Sequence, residues 1–279
     1  MRLRLILIAL IIPSVAGCGP SVASGPNAVA ASFYPLAFAA EQIAPPGDTV
    51  ENLTPPGAEP HDLEVSPSDA AALRDAGHVL LLGHGFQPQL EAAAGSGDNV
   101  VDLLDTPRLD LLPDGDPHVW LDPVRYEKIA TRIGEKLGRQ EAAGKLVLRL
   151  QKLDAEYRAG LAHCAHREIV TSHEAFAYLA QRYGLEQIPI TGISPEAEPQ
   201  PGDLVRVGQL AKERGATTIY FETLVSPRIA QTVAREIGAK TAVLDPIEGL
   251  TKDEAARGED YFTLMRANLS ALRAGLGCR

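Results

Sequence analysis

The sequence predicts two α/β lobes, each on a four-stranded parallel sheet in a (β/α)4 arrangement, joined by a long helical spine. Short β-rich runs alternate with segments of helical period through both halves of the 279-residue chain. Strands separated by helices pair in parallel, because the helix is the crossover connection. Between the halves, Leu146, Leu150, Leu153, Tyr157 and Leu161 recur at helical spacing and form one apolar stripe suited to lie across both. With 45% apolar residues the chain can bury more than one core.

The elements follow in order. Residues 28–33, 48–53, 78–82 and 99–103 are the strands of the first half, each bounded by turn-forming residues. Ser66–Pro67, Asp122–Pro123 and Ser226–Pro227 each place a capping side chain ahead of a proline at the first helical position, where its missing N–H costs nothing. From Pro123 to about Ala162 the pattern is helical with one interruption near Gly138. The second half repeats the pattern with strands at 168–172, 186–190, 217–221 and 241–245, and helices near 174–183, 202–214, 226–238 and 260–275. The expected division is a signal at 1–17, a tether at 18–27, an N-terminal lobe at 28–122, linking helices at 123–163 and a C-terminal lobe at 164–279. Ligands of such sheets bind at the carboxyl ends of the strands, so the cleft between lobes is the expected site.

At the N-terminus, Arg2 and Arg4 precede an apolar run that is too short to span a membrane and ends in small residues, the pattern of an export signal. The "VAGC" that follows resembles a bacterial lipoprotein cleavage box, which makes Cys18 a lipid-carrying N-terminus; an ordinary signal peptide is the alternative. The expected location is therefore extracytoplasmic, lipid-anchored to the bacterial cell membrane. In that compartment Cys164 and Cys278 are expected to form a disulfide, with two free thiols as the alternative. A net charge of −10, from 26 basic and 36 acidic residues, argues against nucleic acid as a partner.

Seven histidines are unequally placed. His61 and His118 lie in Pro/Gly loops of the first half, and His173 follows the strand at 168–172, where Ser172 is expected to cap a helix. Asp245 ends the strand at 241–245. Three imidazoles and a carboxylate, alone or shared with a water, are donors that suit tetrahedral zinc, and two from each half is what an interlobe site requires. Taken singly, each histidine is more often a surface or capping residue than a ligand. His173 at a helix N-terminus is expected to sit in a positive field that disfavours its protonated form. Among the others, His78 opens a strand, His163 and His166 flank Cys164 at a helix end, and His84, in "GHGF", is a possible accessory-site residue. Glu222 is expected beside a ligating histidine.

The segments "ASFYPLAFAAEQIA", "PPGAEPHDLEVSP", "DPHVWLDP", "SHEAFAYLAQRYGL", "GISPEAEPQPGDL", "LDPIEGL" and "YFTLMRANLSALRAGLGC" resemble, in order, the zinc and manganese solute-binding lipoproteins of bacterial ABC importers, the ZnuA-like cluster A-I family. The resemblance implies a monomeric carrier that captures Zn2+ and passes it to an ABC permease with its ATPase. It also implies His61, His118, His173 and Asp245 as ligands, the histidine at the third position favouring zinc over manganese. "TPRLDLLPDGD" holds no histidine, so the resemblance does not extend to a metal-collecting loop. Three other functions are weighed: the same carriage of Mn2+ or Fe2+, a surface adhesin, and a zinc hydrolase with Glu222 as base. The hydrolase lacks an HExxH helix and a nucleophile elbow, so no enzyme activity is expected.

Overall fold

Eight short strands carry the architecture of this protein, seen in a computed structural model that describes residues 25–113 and 115–279. The expected signal, Cys18 and most of the tether lie outside those residues. In chain order the first half holds β1 (Gly25–Ala31), α1 (Tyr34–Ile43), β2 (Thr49–Asn52), α2 (Pro67–Asp75), β3 (Ala76–Leu81), α3 (Pro88–Ala94) and β4 (Val100–Asp102). A 3₁₀ turn at Val119–Leu121 leads into α4 (Pro123–Lys136) and α5 (Gln140–Gly160). The second half runs β5 (Glu168–Thr171), α6 (Ala177–Tyr183), β6 (Glu186–Pro189), α7 (Pro201–Glu213), β7 (Thr218–Phe221), α8 (Arg228–Ile237), β8 (Lys240–Val243), α9 (Lys252–Arg257) and α10 (Tyr261–Leu276).

Both sheets are parallel and share one topology, β2-β1-β3-β4 and β6-β5-β7-β8. In each the strand order reverses beside the first strand, the kind of position at which ligands of open parallel sheets bind.

Two of the three expected helix starts have the expected geometry. Ser66 accepts from the Asp69 N–H in a capping box, and Asp122 accepts from the Val124 N–H at 2.9 Å. At the third, the helix begins one residue later, with Pro227 itself at the cap position. The helix expected from 174 starts only at Ala177, and Ser172 spends its hydroxyl on the Tyr220 carbonyl instead of capping. Helix α9 was not anticipated, although Thr251 and Glu254 form the reciprocal cap that "TKDE" encodes.

The linking segment is a helix pair, interrupted at Gly138 as expected. At Gly138, φ is +66°, a left-handed value that ends α4, and the chain folds back. Gln151 of α5 donates to Glu127 of α4, and a Cβ on Gly134 would collide with that of Ala143, so the pair packs antiparallel at close range. The predicted stripe is buried: Leu146, Leu150, Leu153, Tyr157 and Leu161 belong to a core that also contains Val29 and Leu80 of one lobe and Ile169 and Tyr220 of the other. Tyr157 donates to the Met265 carbonyl of α10 at 2.6 Å. Cys164 and Cys278 are disulfide-bonded and tie the end of α10 to the start of the second half. No helix among the described residues is long and apolar enough to cross a membrane.

Candidate metal centre

Four side chains from four different connections meet between the lobes. His61 comes from the loop after β2, His118 from the segment before α4, His173 from the loop after β5 and Glu248 from the loop after β8. Glu248 Oε1 lies 2.9 Å from His118 Nε2 and 3.3 Å from the Nε2 atoms of both His61 and His173. His118 Nε2 and His173 Nε2 are themselves 3.3 Å apart. One donor atom from each residue thus falls within 4.8 Å of all the others.

The sequence builds each arm locally. Pro117 stiffens the approach to His118, Asp122 caps α4 behind it, and Trp120 between them is buried against Phe33 with ring centroids 4.8 Å apart. The Trp120 indole N–H donates to the Pro246 carbonyl at 2.7 Å and its own carbonyl accepts from the Tyr261 hydroxyl at 2.6 Å, so the His118 segment is held by the second lobe. His61 packs edge-on to Phe86 at 4.7 Å. Both inner histidines have their far nitrogens occupied: His118 Nδ1 donates to Asp116 at 2.6 Å and His173 Nδ1 to Glu222 at 2.7 Å. A carboxylate on Nδ1 fixes the ring and aims Nε2 inward.

Burial alone lowers the pKa of His118, but hydrogen bonds to Asp116 and Glu248 outweigh it and hold the imidazole above its ordinary value. His173 is likewise pulled down by burial and raised further by the charges of Glu222 and Glu248, to well above the ordinary value. This reverses the expected helix-terminus effect, since His173 stands before the helix start and faces carboxylates. Burial raises the Glu248 carboxyl, yet the three imidazoles overcome it and keep it well below the usual carboxylate range. Glu59 accepts from the His61 N–H at 3.2 Å, and burial followed by the Glu248 charge pushes its carboxyl up to about 9.

The three expected histidines come together; Asp245 does not join them. Its Oδ1 accepts the Ile247 N–H at 2.7 Å and its Oδ2 accepts the Thr223 hydroxyl at 2.8 Å, so both oxygens are turned into the protein. Glu248, three residues on, supplies the carboxylate instead. Glu248 lies in the same "LDPIEGL" segment, past the end of the β8 strand. Glu222 lies beside His173, bonded to its N–H as well as its ring. His84 stands apart with Asp102 and Asp105 in a second, more exposed group, its Nε2 3.5 Å from Asp105 Oδ1. His78, His163 and His166 belong to neither group.

The sequence matches the family described as zinc-uptake complex component A, periplasmic (ZnuA), over residues 29–275. The high-affinity zinc uptake system protein ZnuA of Bacillus subtilis is 34% identical over 309 residues, spanning 98% of this chain and 97% of that protein. The zinc-binding lipoprotein AdcA of Streptococcus pneumoniae is 33% identical, spanning 98% of this chain and 60% of AdcA. Among solved structures, the laminin-binding protein Lmb of Streptococcus agalactiae, described as bifunctional with adhesin and metal-transporting activity, superposes with a TM-score of 0.81 at 31% identity over 89% of this chain and 99% of its own. The Zn(II)-bound ZnuA-like domain of Streptococcus pneumoniae AdcA gives a TM-score of 0.76 at 34% identity, over 89% and 98%. With the family match running from β1 to the end of α10, the chain belongs to the ZnuA family of periplasmic zinc-uptake components.

Proposed function

We propose that this protein is the extracytoplasmic zinc-binding component of an ABC importer, which captures Zn2+ between its lobes and delivers it to a membrane permease driven by its ATPase. The observation that carries the reading is the convergence of His61, His118, His173 and Glu248 on one point, with Nδ1 of two imidazoles already committed to carboxylates. Three nitrogens and one oxygen match the donors and number that zinc prefers, and favour it over Mn2+ or Fe2+. Zinc would replace the protons that join the imidazoles to Glu248, so binding releases protons. Asp116 and Glu222 orient His118 and His173.

Delivery to one permease suits a monomer held near the membrane by lipid on Cys18. A hydrolase is disfavoured because the four donors close a tetrahedral shell, leaving no open position for water, and Glu222 is engaged by His173. The likeness to Lmb supports a second reading, in which the same chain also acts as a surface adhesin.

Zinc titration by calorimetry of the metal-stripped protein tests the carrier. One tight site, weakened strongly by His118→Ala and Glu248→Ala and little disturbed by manganese, is expected; a titration indifferent to both substitutions overturns the reading. In cells, the same substitutions should abolish growth under zinc limitation, whereas a protein that acts only as an adhesin would leave that growth intact.

A further inference from the structure

Glu248 reaches the histidines through a turn with an unusual residue at its centre. Ile247 has φ +57° and is fully buried. Among the described residues, the other non-glycine residues with positive φ are His84, Arg108 and Asp110, polar side chains none of which is buried. A β-branched residue avoids this left-handed region because its Cβ crowds the backbone. Something must therefore hold it there.

The fixed points on either side are visible. Before the turn, the Asp245 N–H donates to Asn268 Oδ1 at 2.8 Å and the Asp245 carbonyl accepts from Asn268 Nδ2 at 2.6 Å, which clamps this peptide to α10. The Pro246 carbonyl accepts from Trp120 at 2.7 Å. After the turn, the Leu250 carbonyl accepts from the Gly57 N–H at 2.8 Å, tying the chain to the His61 loop. Between these anchors the conformation of Ile247 decides where Glu248 points, and the Ile247 N–H has the Asp245 carboxylate as its acceptor at 2.7 Å. A carboxylate that accepts the N–H two residues on imitates a backbone turn and fixes the orientation of the peptide that leads into Ile247. Thr223 fixes the other oxygen and so the rotamer.

We infer that Asp245 is a positioning residue: its carboxylate holds Ile247 in the left-handed turn that delivers Glu248 to the three imidazoles. The inference rests on the reading of Glu248 as a zinc ligand. Removing the acceptor leaves a buried N–H unpaired and lets Ile247 leave the left-handed region, which withdraws Glu248. An amide at the same place keeps an oxygen for the Ile247 N–H, and the Thr223 hydroxyl can turn to accept from the amide nitrogen. Hydrogen-bond capacity, and not charge toward the metal, is what the position requires.

The test is Zn2+ titration of the metal-stripped protein carrying Asp245→Ala, Asp245→Asn, Ile247→Gly, the Asp245→Ala/Ile247→Gly pair, Glu248→Ala and Glu248→Gln. Asp245→Ala should weaken zinc by about 10- to 100-fold, the scale of losing an orienting partner. Asp245→Asn should stay within about threefold, as a retained hydrogen bond predicts. Glycine adopts the turn unaided, so Asp245→Ala should cost less than about threefold when added to Ile247→Gly. That suppression is not expected of a residue that merely stabilises the fold. A full loss in Asp245→Asn, no loss in Asp245→Ala, or an undiminished loss on the Ile247→Gly background each overturns the inference. If Asp245→Ala does not fold, Asp245→Asn beside Glu248→Gln decides: equal losses overturn it. Should Glu248→Ala leave zinc binding unchanged, the parent reading fails; a loss there without one in Asp245→Ala removes only the positioning role.

Discussion

The protein carries two histidine–carboxylate groups among its described residues, and they differ in what surrounds them. The His118, His173 and Glu248 side chains are no more than 1% exposed, whereas the His84 and Asp105 side chains are 43% and 74% exposed. In the buried group, Asp116 and Glu222 orient two of the rings and connections from both lobes supply the donors. In the other, three side chains from the carboxyl ends of β3 and β4 meet at the surface, where water competes and rotamer freedom must be given up on binding. The two differ in donors, three imidazoles and one carboxylate against one imidazole and two carboxylates, and they differ as much in preorganisation. The comparison teaches that the capacity to hold an ion tightly comes from the surrounding shell as much as from the donors themselves.

The largest effect should come from removing a buried donor. His118→Ala is expected to weaken zinc by more than about 100-fold, because it deletes a ligand and leaves Glu248 short of a partner in a dry site; a titration within a few-fold of the parent would erase the distinction between the groups. Next, Asp116→Asn and Glu222→Gln should each cost about 10- to 100-fold while all four donors stay in place. Calorimetry that finds either variant at parental affinity would show that the rings are held without their carboxylates.

The pH dependence sharpens the contrast further. His118 and His173 are held above the ordinary imidazole value, so protons compete with zinc and affinity should decline on acidification from above pH ~6.5 downward. In the metal-free protein the sign is opposite. Raised folded-state values mean stability fully present below the unfolded value of about 6.5 and lost as pH rises through the folded values. Asp245, pushed up to about 7 by burial, acts in the same direction, its contribution being present below the usual carboxylate range and lost as pH rises through about 7. Glu248, held low, contributes above about 4.5 and loses that only at stronger acidity. Melting temperatures of the metal-free protein should therefore fall between pH 6 and 8, while the increment added by zinc grows; a flat increment would mean that the ion does not replace protons at these rings.

Opening the disulfide with the pair Cys164→Ser and Cys278→Ser should lower stability by about 2–5 kcal/mol in denaturant unfolding yet move zinc affinity little, since the bridge ties the C-terminus to the second lobe away from the donors. The smallest effect belongs to His84→Ala, expected to leave the tight site within about twofold, as a surface change remote from the donors should. A tenfold loss there would join the two groups into one system.

The alternation of short strands and helices, the three proline-marked helix starts to within a residue, and the buried stripe of α5 were all legible in the residues, because each is set by local periodicity or capping chemistry. So was the placing of His61, His118 and His173 in connections outside the strands and helices, which the structure brings together. What tertiary structure decided is the direction in which chains and side chains turn. Gly138 could break a helix from sequence alone, but only the packing of Gly134 on Ala143 makes the break a reversal. His173 drew its charge environment from Glu222 and Glu248, which lie far along the chain, and not from a helix terminus beside it. Between Asp245 and Glu248, composition could not choose: the left-handed turn at Ile247, held by Asp245 and by anchors from Asn268, Trp120 and Gly57, sends one carboxylate inward to brace the backbone and the other out to the histidines. Patterns of period and capping are written within a few residues, whereas the aim of a side chain depends on partners that only folding brings near.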